Sequence, residues 1–379
     1  MVHSRVFHLA IILLILQSTI SNSVTQPVIK DGRYYNAEHD TYEHINLFKA
    51  IKFMLLNTLS PSKWQKRLQA LVGAKSEMPV FSSHMPEPIQ DTIMSQLDPH
   101  ITWIGHASFL IQVGGYNILT DPIFGDVKAG PLTLVKRAIK PGIKLEELPQ
   151  IDYILISHNH SDHLDTDCLT ALAKRNKRTV VLVPKGNKDL IVSMGFDPEY
   201  VFECMWGETF DLPILSENIS FTFLPAWHWS IRFSMSSYRA SLWGSWMITH
   251  QQHDHGNERK ETNIFFAGDT AYGQHFKEIA QQFPSIDVAL MPIAPTEKDG
   301  HEGNNKNGEY HVDAHEALQA FDDLNAQLFV PMHYGTFNWG PTHLQYPLDH
   351  LINAWDVKKE QLKDKQLLVA QCGKQYPLK

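Results

Sequence analysis

Cysteine is scarce in this chain, with three thiols in 379 residues at Cys168, Cys204 and Cys372. They are odd in number, widely spaced and never paired as C-x-x-C. That excludes a disulfide framework and a thiolate metal site. A basic excess is also missing. The formal charge is −8 and the isoelectric point about 6.2, which has the wrong sign for a nucleic-acid binder. No G-x-S-x-G occurs, so the strand-to-helix serine nucleophile has no candidate. What is present is a globular composition, 43% hydrophobic and 20% charged, with ample material for a core.

The N-terminus opens with Arg5, then an apolar run over residues 9–16, then small polar residues at Ser21-Asn22-Ser23. Spanning a bilayer takes about 20 apolar residues, so the run predicts a signal peptide over residues 1–23, cleaved near Ser23. The competing reading is an uncleaved anchor. The chain is therefore expected to be exported, either periplasmic or secreted. Residues 24–97 read as an N-terminal helical extension and linker. Residues 24–40 are polar and read as a loosely held tail. Residues 42–72 have a helical apolar pattern broken at Ser60-Pro61, and residues 73–97 carry Pro79, Pro86 and Pro88. Between Tyr42 and Lys75, Lys49, Lys52, Lys63, Lys66, Arg67 and Lys75 stand against Glu43 alone. Such a pair suits an anionic membrane surface, or equally a helix packed on the domain with its lysines in solvent.

From His100 the pattern changes to short strands, at 101–104, 109–113 and 116–119, separated by Gly105 and Gly114-Gly115. Asp121-Pro122 ends the third and has the wording of an Asx turn. The apolar run Tyr153-Ile154-Leu155-Ile156 then leads into His158-Asn159-His160-Ser161-Asp162-His163. One tetrahedral site rarely draws adjacent residues. The cluster thus predicts two neighbouring metals, one held mainly by His158 and His160, the other by Asp162 and His163. Further on, a helix is expected from Asp165 or Thr166 to about Lys174, and a strand at 219–224 before Trp227-His228-Trp229. His228 alone fits a core histidine as well as a ligand. Residues 249–263 are polar throughout, so His250, His253 and His255 read as an exposed hairpin loop without a metal. A strand at 263–267 closes on Gly268-Asp269. Gly268 permits a tight turn that faces Asp269 to the cluster, where a carboxylate's two oxygens suit a bridge. Residues 295–308 read as a loop beside the site. Asp313 and Glu316 have capping-box spacing. His311, just before that helix start, is either a loop histidine or a group placed to receive a phosphate oxygen.

Thr102-Trp103-Ile104-Gly105-His106-Ala107-Ser108, Leu119-Thr120-Asp121-Pro122-Ile123-Phe124, the H-x-H-x-D-H cluster, Leu242-Trp243-Gly244-Ser245-Trp246 and His333-Tyr334-Gly335-Thr336-Phe337 occur in that order. Together they resemble the N-acylphosphatidylethanolamine-hydrolysing phospholipase D family of the metallo-β-lactamase fold. The resemblance runs from Asp98 to the C-terminus. It implies an α/β fold, an αββα four-layer sandwich with an N-terminal helical extension, whose catalytic domain is residues 98–379. It also implies a first metal on His158, His160 and His228, a second on Asp162, His163 and His333, and Asp269 bridging them, with Asp162 and Asp269 also catalytic. Asp121 would then orient a ligand histidine from behind, and His311 would border the substrate. Lys136 and Arg137 lie in a loop that reaches towards a phosphate, or are simply solvated. His106 is left outside the metal set. Imidazole and carboxylate without thiolate suit two Zn²⁺, with Fe or Mn as alternatives.

The activity implied by the resemblance is hydrolysis of N-acylphosphatidylethanolamine to phosphatidate and an N-acylethanolamine, by hydroxide activated between the metals. The partner is then a phospholipid at a membrane surface, with peripheral attachment and a homodimer expected. Two other readings share the sequence. One is a lactonase of the sugar-phosphate lactonase type, and the other a non-catalytic, membrane-attached binding protein on the same fold.

Overall fold

The structure, a computed structural model, describes residues 24–36, 99–211, 218–232, 234–253, 259–295, 310–338 and 344–378. The signal segment, the helices expected at 42–72, the linker and residues 296–308 of the loop beside the site lie outside these. The chain divides into two compact units, residues 1–37 with 90–379, and residues 38–89.

The tail expected at 24–40 needs correcting. Residues 24–36 form a hairpin of β1 (Val28–Lys30) and β2 (Arg33–Tyr35), and they dock on the catalytic unit. Val24 is buried in the core. Thr25 donates its N–H and Oγ–H to the Glu278 carboxylate at 3.1 and 3.0 Å, and Gln26 Nε2 donates to Trp206 O at 2.9 Å. The polar residues that suggested a tail are held by acceptors distant in sequence.

The next strands are β3 (His100–Gly105), β4 (Ser108–Val113) and β5 (Tyr116–Thr120), followed by the separate ribbon β6 (Val127–Ala129) and β7 (Leu132–Val135). Then come β8 (Tyr153–Leu155), helix α1 (Thr166–Arg175), β9 (Val180–Pro184), α2 (Lys188–Ser193), β10 (Val201–Cys204), β11 (Thr209–Asp211) and β12 (Ile219–Leu224). The chain continues through β13 (Ser245–His253), β14 (Arg259–Phe266), α3 (His275–Gln282), β15 (Val288–Pro292), α4 (Ala314–Asp323), β16 (Leu328–Met332), α5 (Tyr346–Val357), β17 (Gln366–Leu367) and β18 (Gln375–Pro377). One seven-stranded sheet has the order β10-β9-β8-β5-β4-β3-β18 and the other β11-β12-β13-β14-β15-β16-β17. Helices cover the outer faces, giving the αββα sandwich.

Sequence explains which strands lie innermost. β8, β9 and β15, each paired in parallel, are buried along their whole length, and their apolar runs do not alternate, as expected where both faces are covered. α1 turns Cys168, Leu169, Leu172 and Ala173 inward at helical spacing. Aromatic rings join the two sheets. Tyr153 on β8 meets Phe221 on β12 at 4.7 Å, and Trp246 on β13 donates its indole N–H to Ile156 O at 2.9 Å, two residues before His158. β5 and β8 are parallel, as are β14, β15 and β16, so their carboxyl ends open on one edge of each sheet. That edge is where an α/β sheet places its ligands.

The hairpin loop expected at 249–263 is also shorter than its composition suggests. β13 runs to His253 and β14 begins at Arg259. His250 is buried, and its ring lies against the Gly114 turn of the facing sheet. Thr249 Oγ1 donates to Asn263 Oδ1 across the pair at 2.7 Å. Cross-strand hydrogen bonding lets a polar sequence continue as strand where periodicity reads loop.

Candidate metal centre

Five strand ends supply the site. Asp121 follows β5, residues 158–163 follow β8, His228 follows β12, Asp269 follows β14 and His333 follows β16. Two of these positions, and His106 just after β3, are held in unusual backbone. His106, Asp121 and His333 have φ of 55°, 31° and 65°, and non-glycine residues there carry strain of about 1–3 kcal/mol each. Their surroundings enforce it. His333 N donates to His106 O at 3.2 Å and Asp121 N to Leu155 O at 3.0 Å, while His106 N donates to Thr336 Oγ1 at 2.7 Å. Gly268 has φ +60°, and a Cβ there would stand 2.5 Å from the Ser157 Cβ. Only glycine lets β14 end close enough to bring Asp269 to the cluster.

The side chains converge in two groups. His158 Nε2 and His228 Nε2 lie 2.9 and 3.2 Å from His160 Nδ1, and both lie 3.8 Å from Asp269 Oδ2. In the second group His163 Nε2 is 3.5 Å from Asp162 Oδ2 and 3.3 Å from Asp269 Oδ2. His333 Nε2 is 3.1 Å from Asp269 Oδ1 and 3.8 Å from Asp162 Oδ2. Asp269 therefore sets Oδ2 between the first group and His163, and Oδ1 against His333. Ligands about 2.0–2.1 Å from a tetrahedral zinc stand about 3.3 Å apart, and these separations scatter around that edge. His163 Nε2, His333 Nε2 and Asp269 Oδ1 are buried and make no hydrogen bond. Buried polar atoms without partners are costly, and a cation in the second group would supply the missing partner. The residues fit a dinuclear site.

In four of the five rings, all but His160, the other nitrogen is fixed from behind, as metal-ligating histidines require. His163 Nδ1–H donates to Asp121 Oδ2 at 2.7 Å, His228 Nδ1–H to Tyr310 O at 2.8 Å and His333 Nδ1–H to Ala294 O at 3.0 Å. His158 Nδ1 lies 2.9 Å from Ser157 Oγ, whose hydroxyl donates to Asp121 Oδ2 at 2.5 Å. Asp121 also accepts from Ser157 N. With its oxygens so engaged, Asp121 acts as the acceptor behind two ligands and is not a ligand itself.

Burial keeps the first group's imidazoles neutral, with His158 and His228 pushed well down and His160 to about 4. Burial also opposes charge on His163, yet Asp269, Asp162 and the bond to Asp121 raise it well above an ordinary histidine. Three carboxylates around one ring favour a positive charge there, whether proton or metal.

His106 is the residue that sequence left out of the set. Its Nε2 lies 3.0 Å from Asp162 Oδ2, and burial pushes its pKa down to about 3. It is thus a neutral donor that orients Asp162. His311 stands at the rim, its side chain 22% exposed and Nδ1 3.7 Å from Asp269 Oδ2. Arg137 is a correction. Its guanidinium donates to the carbonyls of Ile139, Ile123 and Ile104 at 2.8–2.9 Å and pins that loop beneath Gly105, so it does not reach for a phosphate. Lys136 is exposed beside it. Sequence also missed Asn36. It is fully buried, its Nδ2 donates to His228 O at 3.0 Å, and its Oδ1 accepts from Trp243 Nε1 at 3.1 Å. Nothing in a polar segment more than 190 residues from His228 marks it in advance.

Comparisons with known proteins place this geometry. Residues 116–334, more than half of the chain, match the family model described as a beta-lactamase superfamily domain. An uncharacterized protein of Mycobacterium tuberculosis is 30% identical over 67% of this chain and 63% of its own length, so the chain spans less than two thirds of that relative. N-acyl-phosphatidylethanolamine-hydrolyzing phospholipase D 1 of Caenorhabditis elegans is 29% identical over 79% of this chain and 82% of its own. Among solved structures, the metallo hydrolase Igni18 of Ignicoccus hospitalis superposes with a TM-score of 0.52 at 22% identity, over 74% of this chain and 98% of that one. That last likeness shows the fold.

Proposed function

The chain belongs to the β-lactamase superfamily and is a metal-dependent hydrolase, and from that premise we propose that it cleaves N-acylphosphatidylethanolamine-type phospholipids to phosphatidate and an N-acylethanolamine. The observation that carries this reading is Asp269, whose carboxylate oxygens lie within 3.8 Å of His158 and His228 on one side and 3.3 and 3.1 Å from His163 and His333 on the other, between groups made of imidazole and carboxylate alone. The relative in Caenorhabditis elegans, named for this activity, supports it. Two bound cations, Zn²⁺ in this proposal, supply a lowered water pKa and neutralise charge growing on a phosphoryl oxygen.

The chain's own residues supply position and proton transfer. Asp162 Oδ2 is held by the His106 Nε2–H, and the side chain as a whole is 12% exposed. It is placed to take a proton from the attacking water. His311, neutral because burial pushes its pKa to about 4, is placed to donate to a phosphoryl oxygen from the rim. Attack on phosphorus forms one P–O bond and breaks that to the ethanolamine oxygen, which leaves with a proton. No side-chain nucleophile takes part.

Export through residues 1–23, attachment to membrane through residues 42–72 and a homodimer remain part of this proposal. The test is incubation with N-acylphosphatidylethanolamine in ¹⁸O water, with products read by mass spectrometry. Phosphatidate carrying the label is expected. Label in the N-acylethanolamine, or turnover of acyl lactones in its place, would sink the reading.

A further inference from the structure

The ribbon β6–β7 leaves the domain beside the metal centre, and among the described residues its strand β7 is exposed at Leu132, Thr133 and Leu134. Leu132 is 63% and Leu134 52% exposed, and Thr133 between them is exposed as well, so both faces of the strand meet solvent. Elsewhere among the described residues, a large hydrophobic side chain more than half exposed stands alone, at Ile29 or Val357. Leu132 and Leu134 stand two residues apart on the exposed strand, where the register shifts and leaves Leu134 unpaired as a bulge, and together they form a small apolar edge. The base of the ribbon is firm. Val127, Ile123 and Phe337 make a cluster of their own, with Val135 packed on it. Phe337 lies 5.0 Å from the His106 ring, and Ala138 N donates to Thr336 O at 2.8 Å. The ribbon is therefore anchored to the segment that carries His333.

Charge surrounds the leucines. Residues 126–140 hold Lys128, Lys136, Arg137 and Lys140 against Asp126, a net of +3 in a chain of −8. Lys136 and Lys140 are exposed. Lys128 pairs with Asp167 at 2.6 Å, and Arg137 is held by backbone carbonyls, so the outward charge is chiefly that of Lys136 and Lys140. A second copy of this chain would bring like charge to the same edge. An anionic lipid surface brings the opposite sign.

We propose that the β6–β7 ribbon is a docking edge for an anionic phospholipid bilayer, with Leu132 and Leu134 entering the headgroup boundary and Lys136 and Lys140 meeting lipid phosphates. The proposal rests on the phospholipid reading of the site. Three residue steps from Val127 to Gly130 span about 10 Å at 3.3 Å per residue, which matches the 5–10 Å depth at which interfacial elements sit. The ribbon would hold the metal-bearing edge of the sandwich over the lipid without a spanning segment. No helix among the described residues is long and apolar enough to cross a membrane.

The test uses the full chain and its Leu132→Ser/Leu134→Ser variant, sedimented with phosphatidylcholine vesicles with and without phosphatidylglycerol. Neither lipid carries the cleavable N-acylethanolamine group, so binding is read apart from turnover. Parent binding should rise with phosphatidylglycerol and the variant's affinity should fall about tenfold or more. Hydrolysis of soluble bis(4-nitrophenyl) phosphate should be equal in the two. Trp emission from Leu132→Trp should shift to the blue on the same vesicles. A parent that does not sediment, a variant that sediments equally, or an unshifted emission would overturn the proposal. Light scattering that finds the parent dimeric and the variant monomeric would assign the edge to a second copy instead. If the ribbon binds lipid but neither protein releases an N-acylethanolamine, the substrate reading fails and the docking edge stands.

Discussion

The two ligand groups share Asp269 and differ in almost everything behind it. In the first, two of three neutral imidazoles, those of His158 and His228, are backed by neutral oxygens, the Ser157 hydroxyl and the Tyr310 carbonyl, and Asn36 holds the His228 backbone. In the second, Asp162 is a ligand, Asp121 backs His163, and a histidine, His106, orients a carboxylate. The first group is tuned by burial, the second by charge. At equal geometry the second should attract a cation more strongly and respond more to protons, because charge-assisted contacts in a dry site are the stronger ones.

The largest test of the comparison removes what the groups share. Asp269→Asn keeps the shape but loses the charge and one acceptor oxygen. Both metals should be weakened, with kcat/KM down by about a thousandfold or more, as expected when a bridging ligand of the reacting centre is lost. Metal content by elemental analysis checks it. Full activity with a single tightly held ion would mean that the groups do not act as a pair.

The next test acts on one group only. His106→Ala leaves Asp162 without its donor, and the loss of such a supporting partner costs about 10–100-fold in metal affinity. The second group should lose its ion at lower chelator concentration while the first is unchanged. Equal losses from both would show that His106 supports the fold and not the second group in particular.

How far sequence alone reaches follows from this contrast. The opening cluster is legible because four ligands in six residues after an apolar run have few other uses. His228, Asp269 and His333 are single residues at strand ends, and without a family resemblance a histidine there is also a core histidine. The capping box at Asp313 and Glu316 is local and was readable; both of its hydrogen bonds form. Long-range supports were not readable. Arg137 shows the limit plainly, since a cation in a loop gives no sign that the carbonyls of Ile104 and Ile123, 33 and 14 residues away, will receive it beside that of Ile139. Asn36 and the β13–β14 arm repeat the lesson, because their polar composition is satisfied only by partners the folded chain supplies.

Protons should divide the two groups as well. His160 is pushed down to about 4 and His158 and His228 lie well below their ordinary range, so near neutral pH none of them carries a proton for a metal to displace. His163 is raised well above its ordinary value and holds a proton in the metal-free protein. Loading the second group must therefore release about one proton, and its affinity should rise about tenfold per pH unit near neutrality until His163 deprotonates. The first group should be flat until the pH falls towards about 4. Titration calorimetry in two buffers of different ionisation enthalpy separates the steps. Proton release on loading the first group would reverse the assignment.

The smallest effect concerns the strap that reaches only the first group. Asn36→Ala removes the donor to His228 O, while Trp243 Nε1 keeps its second acceptor, Ala226 O at 2.9 Å. A buried carbonyl losing its partner costs about 1–3 kcal/mol, and part of that should appear as looser placement of His228. We expect a fall in melting temperature and a severalfold loss of affinity in the first group, with the second unchanged. Asn36→Asp retains an acceptor for Trp243 but sets a carboxylate against the His228 carbonyl, so it should be worse than alanine if the donor is what matters. The strap also binds through Thr25 and Glu278, so Glu278→Gln serves as control, since it loosens the strap far from His228 and should lower stability without dividing the groups. If Asn36→Ala and Glu278→Gln weaken both groups alike, the strap is a general clamp, and the first group owes its geometry to Tyr310 and Ser157 alone.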